Sequence, residues 1–280
     1  MSEAFGTKLR EDIAADGIVP LIGVYDVFSA TIAARHFNGI FISGFSFAAS
    51  HYGLPDIGFI AWSDIVAFTQ RVRAVLPRHH LVVDIDDGYC DPEVACHVVS
   101  LLEAAGASGV VLEDQMRPRR CGHADGKQLL ELEDFTEKLQ RVLETRTDLY
   151  VVARTDATDR QEILRRVDAF SAMAVDAVLV DGIRELALLD ELRSRTPKTV
   201  VFNQISGGNS PPCTLSRLRA VGVGLVNYST PCLFAAQGAI DEAMRALWAG
   251  DGRLAGSEDG AGQLADCSAL LKENLVGRYQ

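Results

Sequence analysis

Short, nearly unbroken apolar runs recur along the chain, separated by stretches with helical spacing. They are Ile18 to Tyr25, Gly39 to Ser43, His80 to Asp86, Ser108 to Glu113, Leu149 to Thr155, Ala177 to Asp181, Thr199 to Asn203 and Gly224 to Tyr228. Continuous apolar character, rather than alternation, is what parallel strands covered on both faces require. Between them, Asp91-Pro92 opens a helix, with Asp91 as N-cap and Pro92 at the first helical position. Asp159 to Met173 and Arg184 to Thr196 carry apolar residues every three or four positions and predict two more. Eight strands alternating with helices predict an α/β fold, a (β/α)8 TIM barrel, over a doubly wound sheet.

Several runs end in a polar residue: Asp26, Ser43, Asp84 and Asp86, Glu113, Arg154, Asp181 and Asn203. In a barrel those C-terminal strand ends converge on the active site. Two pieces exceed the barrel plan. Gln115 to Leu130 is long and polar for a βα loop, which predicts a mobile lid. Residues 1–249 read as the barrel, and residues 250–280 as a Gly/Asp-rich linker followed by a helix, Leu264 to Leu275. That helix is free to pack on its own barrel or on a neighbour's.

Composition narrows the class. At 280 residues with 48% hydrophobic and 23% charged content, the chain buries a large core without disulfides or structural metal. A net charge of −11 argues against nucleic acid or anionic membrane as partners. No apolar run approaches the roughly 20 residues of a bilayer span, and the N-terminus lacks a signal-peptide core. Six scattered cysteines without a CxxC pair predict free thiols in a reducing cytoplasm.

Two motifs carry chemistry. Asp84, Asp86 and Asp87 follow the third run, and residues two apart on a strand share a face. With Glu113-Asp114 next door, these oxygen donors suit Mg2+, with Mn2+ as a substitute; strand-end capping is the plainer reading. Cys121 lies among Arg117, Arg119, Arg120 and His123, a setting that favours thiolate and suits it to proton transfer or nucleophilic attack; an inert loop cysteine is the alternative. Arg154 could grip a substrate carboxylate bidentately, or pair with Asp156 or Glu113. Backbone N–H groups of Ser43-Gly44-Phe45 and Gly207-Gly208-Asn209-Ser210 could receive carboxylate oxygens. No P-loop or dinucleotide fingerprint is present.

Together the motifs resemble the isocitrate lyase / phosphoenolpyruvate mutase superfamily over roughly Pro20 to Ala243. The marks are ISG at Ile42 to Gly44, GLPDIG at Gly53 to Gly58, DIDDGY at Asp84 to Tyr89, LEDQ at Leu112 to Gln115, RRCGH at Arg119 to His123, ARTDA at Ala153 to Ala157 and NQISGGNSP at Asn203 to Pro211. The CGH triplet resembles the lyase-like branch, which includes 2-methylisocitrate lyase, 2,3-dimethylmalate lyase, oxaloacetate hydrolase and carboxyphosphonoenolpyruvate mutase.

The resemblance implies Mg2+ on Asp84 and Asp86, directly or through water, with Asp56 and Glu113 nearby. It implies Cys121 as acid/base, with Arg119 and His123 in the catalytic loop. Substrate would meet Ser43, Gly44, Phe45, Gly122, Arg154, Asp181, Asn203 and Ser210. It also implies a homotetramer that exchanges its C-terminal helix. Five positions depart from the family's usual pattern: Asp87 for Thr or Ala, Arg119 for Lys, Ser206 for Glu, Asp181 for Glu and Phe41 for a tyrosine. The expected activity is Mg2+-dependent cleavage or formation of a carbon–carbon bond in a 2-hydroxy di- or tricarboxylate. A phosphonomutase, an oxaloacetate-type hydrolase and a non-catalytic metabolite sensor are the alternatives.

Overall fold

Eight parallel strands close on themselves in sequence order in the computed structural model, which describes residues 4–253 and 264–276. They are β1 (Val19–Val24), β2 (Gly39–Ile42), β3 (His80–Asp84), β4 (Gly109–Glu113), β5 (Tyr150–Thr155), β6 (Ala177–Val180), β7 (Thr199–Gln204) and β8 (Val223–Tyr228). Closure comes from β1 lying against β8, with Val19 opposite Leu225. All eight fall within a residue or two of the apolar runs. The predicted TIM barrel is the observed one.

The pleat explains why one end becomes polar. Side chains alternate between lumen and helix layer along a strand. Leu21, Phe41, Val82, Val111, Val152, Leu179, Val201 and Leu225 form one buried cluster, the lumen, and Leu9 from the helix Phe5–Asp16 joins it. Their neighbours Ile22, Ile42, Val83, Val110, Leu112, Ala153, Val178 and Val200 pack outward in the larger core. Two residues beyond lumen positions stand Ser43, Asp84, Glu113, Arg154, Asp181 and Asn203, all buried. Period two therefore stacks these polar groups over the apolar lumen.

Helix starts follow local chemistry. Asp91 accepts from the backbone N–H groups of Glu93 and Val94 at the head of Pro92–Ala104, and Asp159 accepts from Glu162 N–H at the head of Arg160–Ser171. The helix expected from Arg184 begins later, at Ala187, because Gly182 (φ 68°) first turns the chain away from β6. One expectation needs correcting. β3 ends at Asp84, and Asp86 sits beyond it in a turn at φ 50°. The chain reverses through Gly88, Tyr89 and Cys90, all with positive φ, so the two aspartates do not share a strand face by pleat.

Most of the expected linker, residues 254–263, lies outside the described residues. The terminal helix is present as Leu264–Val276 and meets the helix Val27–Ala33 of the same chain. Leu270 is buried there, and Asn274 Nδ2 donates to Thr31 Oγ1 at 3.0 Å. The 19-residue helix Pro231–Ala249 has no buried residue. Among the described residues no helix is long and apolar enough to cross a membrane. All six cysteines are free thiols.

Candidate active site

The loop after β4 crosses the mouth of the barrel and carries Arg119 down into the acidic cluster. Its base is closed by a bridge between Gln115 and Leu129. Gln115 also donates through its side-chain amide to Arg120 O at 2.7 Å and accepts from Arg120 N–H at 2.8 Å. The Arg119 side chain is 1% exposed; Nε donates to Glu113 Oε1 at 2.7 Å, and Nη1 reaches Asp56 and, at 3.4 Å, Asp86. The cation that crowded carboxylates demand is thus partly supplied by the loop itself.

It is not enough for the whole cluster. Asp56, Asp84, Asp86 and Glu113 are all buried, against the guanidinium groups of Arg119 and Arg154. Burial raises the carboxyls of Asp84 and Asp86, and pushes Glu113 up to about 8 despite its two arginine neighbours. Both carboxylate oxygens of Asp86 are buried without a hydrogen-bond partner among the described residues. Gly44 lies against the pair: a methyl there would stand 3.1 Å from Asp86 and 3.2 Å from Asp84.

Among the described residues no three His, Cys, Asp or Glu side chains form a metal-ligand set. Arg119 holds Asp56 and Glu113, which leaves Asp84 and Asp86. Two hard oxygen donors with excess negative charge fit a divalent cation that keeps most of its water, the habit of Mg2+. They do not fit a metal wanting several protein ligands.

Arg154, projecting from β5, does not hold its fork open. Nε and Nη2 donate to Asp156 at 2.9 and 3.0 Å, and Nη2 also meets Asp181 at 2.8 Å and Glu113 at 3.1 Å. The internal pairing with Asp156 and Glu113 wins, and only Nη1 lacks a partner among the described residues. Asp181 accepts from Asn203 Nδ2 at 2.7 Å and lies 3.5 Å from His123 Nε2. Burial opposes its ionisation, yet Arg154, His123 and Asn203 hold its carboxyl well below the usual carboxylate range. The shorter aspartate therefore keeps a full set of contacts.

Cys121 reverses its expected ionisation. The surrounding cations look elsewhere: Arg117 to Asp87, Arg119 to the acidic cluster, Arg120 to the backbone carbonyl of Arg119. Burial pushes the Cys121 thiol up to about 11, and the charges of Asp56 and Asp181 add to the rise. Burial thus favours the neutral thiol over the thiolate that the neighbouring cations suggested.

The neighbouring residues fix its position. A methyl on Gly122 would collide with Asp181 and Arg154. His123 Nδ1 accepts from Asn209 N–H at 2.8 Å, tying the loop to the turn after β7. Lys127 donates to Gly122 O and lies 3.4 Å from Asp156.

The side chains of three expected residues have other engagements or surroundings. Ser43 spends its hydroxyl capping the short helix Gly44–Phe47, accepting from Ser46 N–H at 3.3 Å. Phe45 packs edge-on against Phe234, ring centres 6.2 Å apart, leaving its N–H rather than its ring for an anion. Ser210 lines a 480 Å3 cavity with Gln204 and Thr230; its buried Oγ has no partner among the described residues, so it does not join the Asn203–Asp181–His123 network.

Lys127 was not singled out for the site, since it lies neither at a strand end nor at a telling spacing; Asn209 was expected to offer its backbone N–H to a carboxylate, and gives it to His123 Nδ1 instead. Asp156 entered only as a rival for Arg154, although its place two residues on put it within reach.

Comparison with known proteins identifies the family. A family model described as phosphoenolpyruvate phosphomutase matches residues 9–248. The chain is 32% identical over 250 residues to the chloroplastic carboxyvinyl-carboxyphosphonate phosphorylmutase of Arabidopsis thaliana, covering 86% of this chain and 74% of that protein. It is 27% identical over 249 residues to the 2,3-dimethylmalate lyase of Eubacterium barkeri, covering 86% and 84%. A crystal structure of 2,3-dimethylmalate lyase superposes with a TM-score of 0.91 at 23% identity, over 99% of this chain and 95% of that one. With the match spanning the barrel and the loop that holds Cys121, this chain belongs to the phosphoenolpyruvate mutase/isocitrate lyase family of enzymes.

Proposed function

We propose that the enzyme cleaves, or in reverse forms, a carbon–carbon bond of a 2-hydroxy di- or tricarboxylate, releasing a 2-oxo acid and a second carboxylic acid. One observation carries the reading: the loop after β4, with Arg119 sunk in the acidic cluster and His123 tied to the turn after β7, holds the buried Cys121 thiol at the barrel mouth, and burial favours its neutral form. Carbon–carbon cleavage leaves a carbanion that needs a proton, whereas forming a phosphorus–carbon bond does not.

In this reading the substrate's carboxylate lies against the backbone N–H groups of Gly44 and Phe45 and the unpaired Nη1 of Arg154. Magnesium held by Asp84 and Asp86, directly or through water, would act as a Lewis acid, lowering the pKa of the 2-hydroxyl and offsetting the local negative charge. The hydroxyl proton passes to solvent water, while Glu113 stays engaged by Arg119 and Arg154. As the C–O bond becomes a carbonyl, the adjacent C–C bond breaks and its electron pair stays on the departing carbon beside the second carboxylate. Cys121 gives that carbon its proton and is re-protonated from solvent. Arg119, Gly122 and His123 position the loop and exclude water.

The chain assembles as a homotetramer in the cytoplasm. The bare apolar surface of Pro231–Ala249 and the free thiols support this.

The deciding experiment incubates the enzyme with Mg2+ and a panel of 2-hydroxy diacids, trapping 2-oxo acid as its hydrazone. Cys121→Ser should lose turnover by about 10²–10⁴-fold while still binding Mg2+. Full turnover in that variant rejects the thiol's role. If no diacid is cleaved but phosphonate precursors yield a new phosphorus–carbon resonance by NMR, the lyase reading fails.

A further inference from the structure

Cys121 is fixed between two anchors on opposite sides of the barrel mouth. On the β7 side His123 is held by Asn209, within the group of residues that line the pocket. On the β3 side the anchor is Arg117. Its Nε donates to Asp87 Oδ2 at 2.8 Å and its Nη2 to Asp87 Oδ1 at 3.0 Å, a parallel fork on one carboxylate.

Asp87 is itself rigidly seated. Its side chain is 2% exposed, its carboxylate accepts from Tyr89 N–H at 3.2 Å, and its backbone carbonyl accepts from the buried Lys138 at 3.0 Å. Gly58, bare at φ 88°, lets the loop settle: a methyl there would stand 3.3 Å from the Arg119 side chain and 3.7 Å from Arg117. Among the described residues the ion pair of Asp87 is with Arg117 and not with Arg119 or Arg154.

We propose that Asp87 and Arg117 are positioning residues: their forked ion pair latches the Cys121 loop to the turn after β3 and sets where the thiol is delivered. The pair acts through Cys121 and touches no reacting atom. It also accounts for an extra carboxylate beside an already crowded acidic cluster, because that charge is spent on the loop. Arg117 is about one-third exposed, so the latch can release and reform as the mouth opens.

The test uses the full-length enzyme with Mg2+ and follows alkylation of Cys121 by iodoacetamide, resolved by peptide mass spectrometry. Asp87→Asn and Arg117→Gln should each accelerate Cys121 labelling roughly five- to tenfold, as expected for loss of a charged fork partly screened by solvent. The double variant should be no faster than the faster single one, and Arg117→Lys should lie between wild type and Arg117→Gln. Labelling of Cys96, on the outer helix Pro92–Ala104, should not change.

An unchanged Cys121 rate in Arg117→Gln overturns the latch, and so does simple additivity in the double variant. Equal acceleration at Cys96 also overturns it, since that reports general loosening. A second arm rests on the lyase reading: with a cleaved diacid, Arg117→Gln should lower kcat while KM holds. Labelling needs no substrate, so failure of the latch and failure of the assigned reaction are separable.

Discussion

At Gly122 the difference between residue type and residue position is sharpest. The glycine beside a cysteine suggests open access, but its role is close approach: there is no room for a methyl between the loop and the Arg154–Asp181 pair. Gly122→Ala should therefore keep the loop from seating. We expect turnover to fall about 10²-fold, the scale of a misplacement near 1 Å, with the unfolding midpoint almost unchanged. A variant that turns over normally would show that the seated loop is not the working one.

Cys121 teaches the same lesson about charge. Its sequence neighbours are cations, but each has a carboxylate or carbonyl of its own to meet. What dominates at the sulfur is burial, with Asp56 and Asp181 adding to the rise and the His123 backbone and Arg154 opposing it. Adjacency in sequence was legible, whereas side-chain direction was not.

At the scale of elements, strand positions were readable because parallel strands leave uninterrupted apolar runs. The identity of the residues above the lumen followed from the pleat. The turn after β3 was less readable: Asp84 and Asp86 were paired by strand periodicity, and the structure brings them together through a reversal instead. Positive-φ geometry at Asp86, Tyr89 and Cys90 has no pattern as distinct as an apolar run.

The helix Pro231–Ala249 is a different case. It exposes Ile240, Met244 and Trp248, the last at 90%. Full burial of such side chains contributes about 1.5–3 kcal/mol each, enough to drive association when several act together. Light scattering should give a tetramer for wild type, and Ile240→Glu/Trp248→Glu should shift it to smaller species. An unaltered mass would place the subunit contacts elsewhere.

For the whole molecule, the dominant feature is acidity concentrated at one end of a closed barrel. Glu113, ordinarily near 4.5, is pushed up to about 8 in the fold. The folded protein thus keeps a proton that the unfolded chain releases in that window. Unfolding then sheds protons, so without metal this group's contribution to stability falls as pH rises from about 4.5 to about 8.

Divalent metal should oppose that loss, because binding no longer competes with protons once the carboxyls have ionised. The Mg2+-induced rise in Tm should be larger at about pH 8 than at about pH 6, reflecting a stabilisation that approaches about 2–3 kcal/mol at roughly a hundredfold excess of Mg2+ over Kd. A shift that shrinks with pH would contradict this coupling.

The chain's linear order by itself determined the barrel, its strand ends, the loop bearing Cys121 and the acidic and basic motifs, because each depends on local periodicity or composition. Tertiary structure alone decided which charge meets which. Arg119 fills much of the acidic cluster, Arg154 is bound internally and Arg117 is drawn to Asp87, and burial favours the neutral thiol. Electrostatic partners are chosen by distance and burial across strands far apart in sequence, and no one-dimensional pattern encodes those distances.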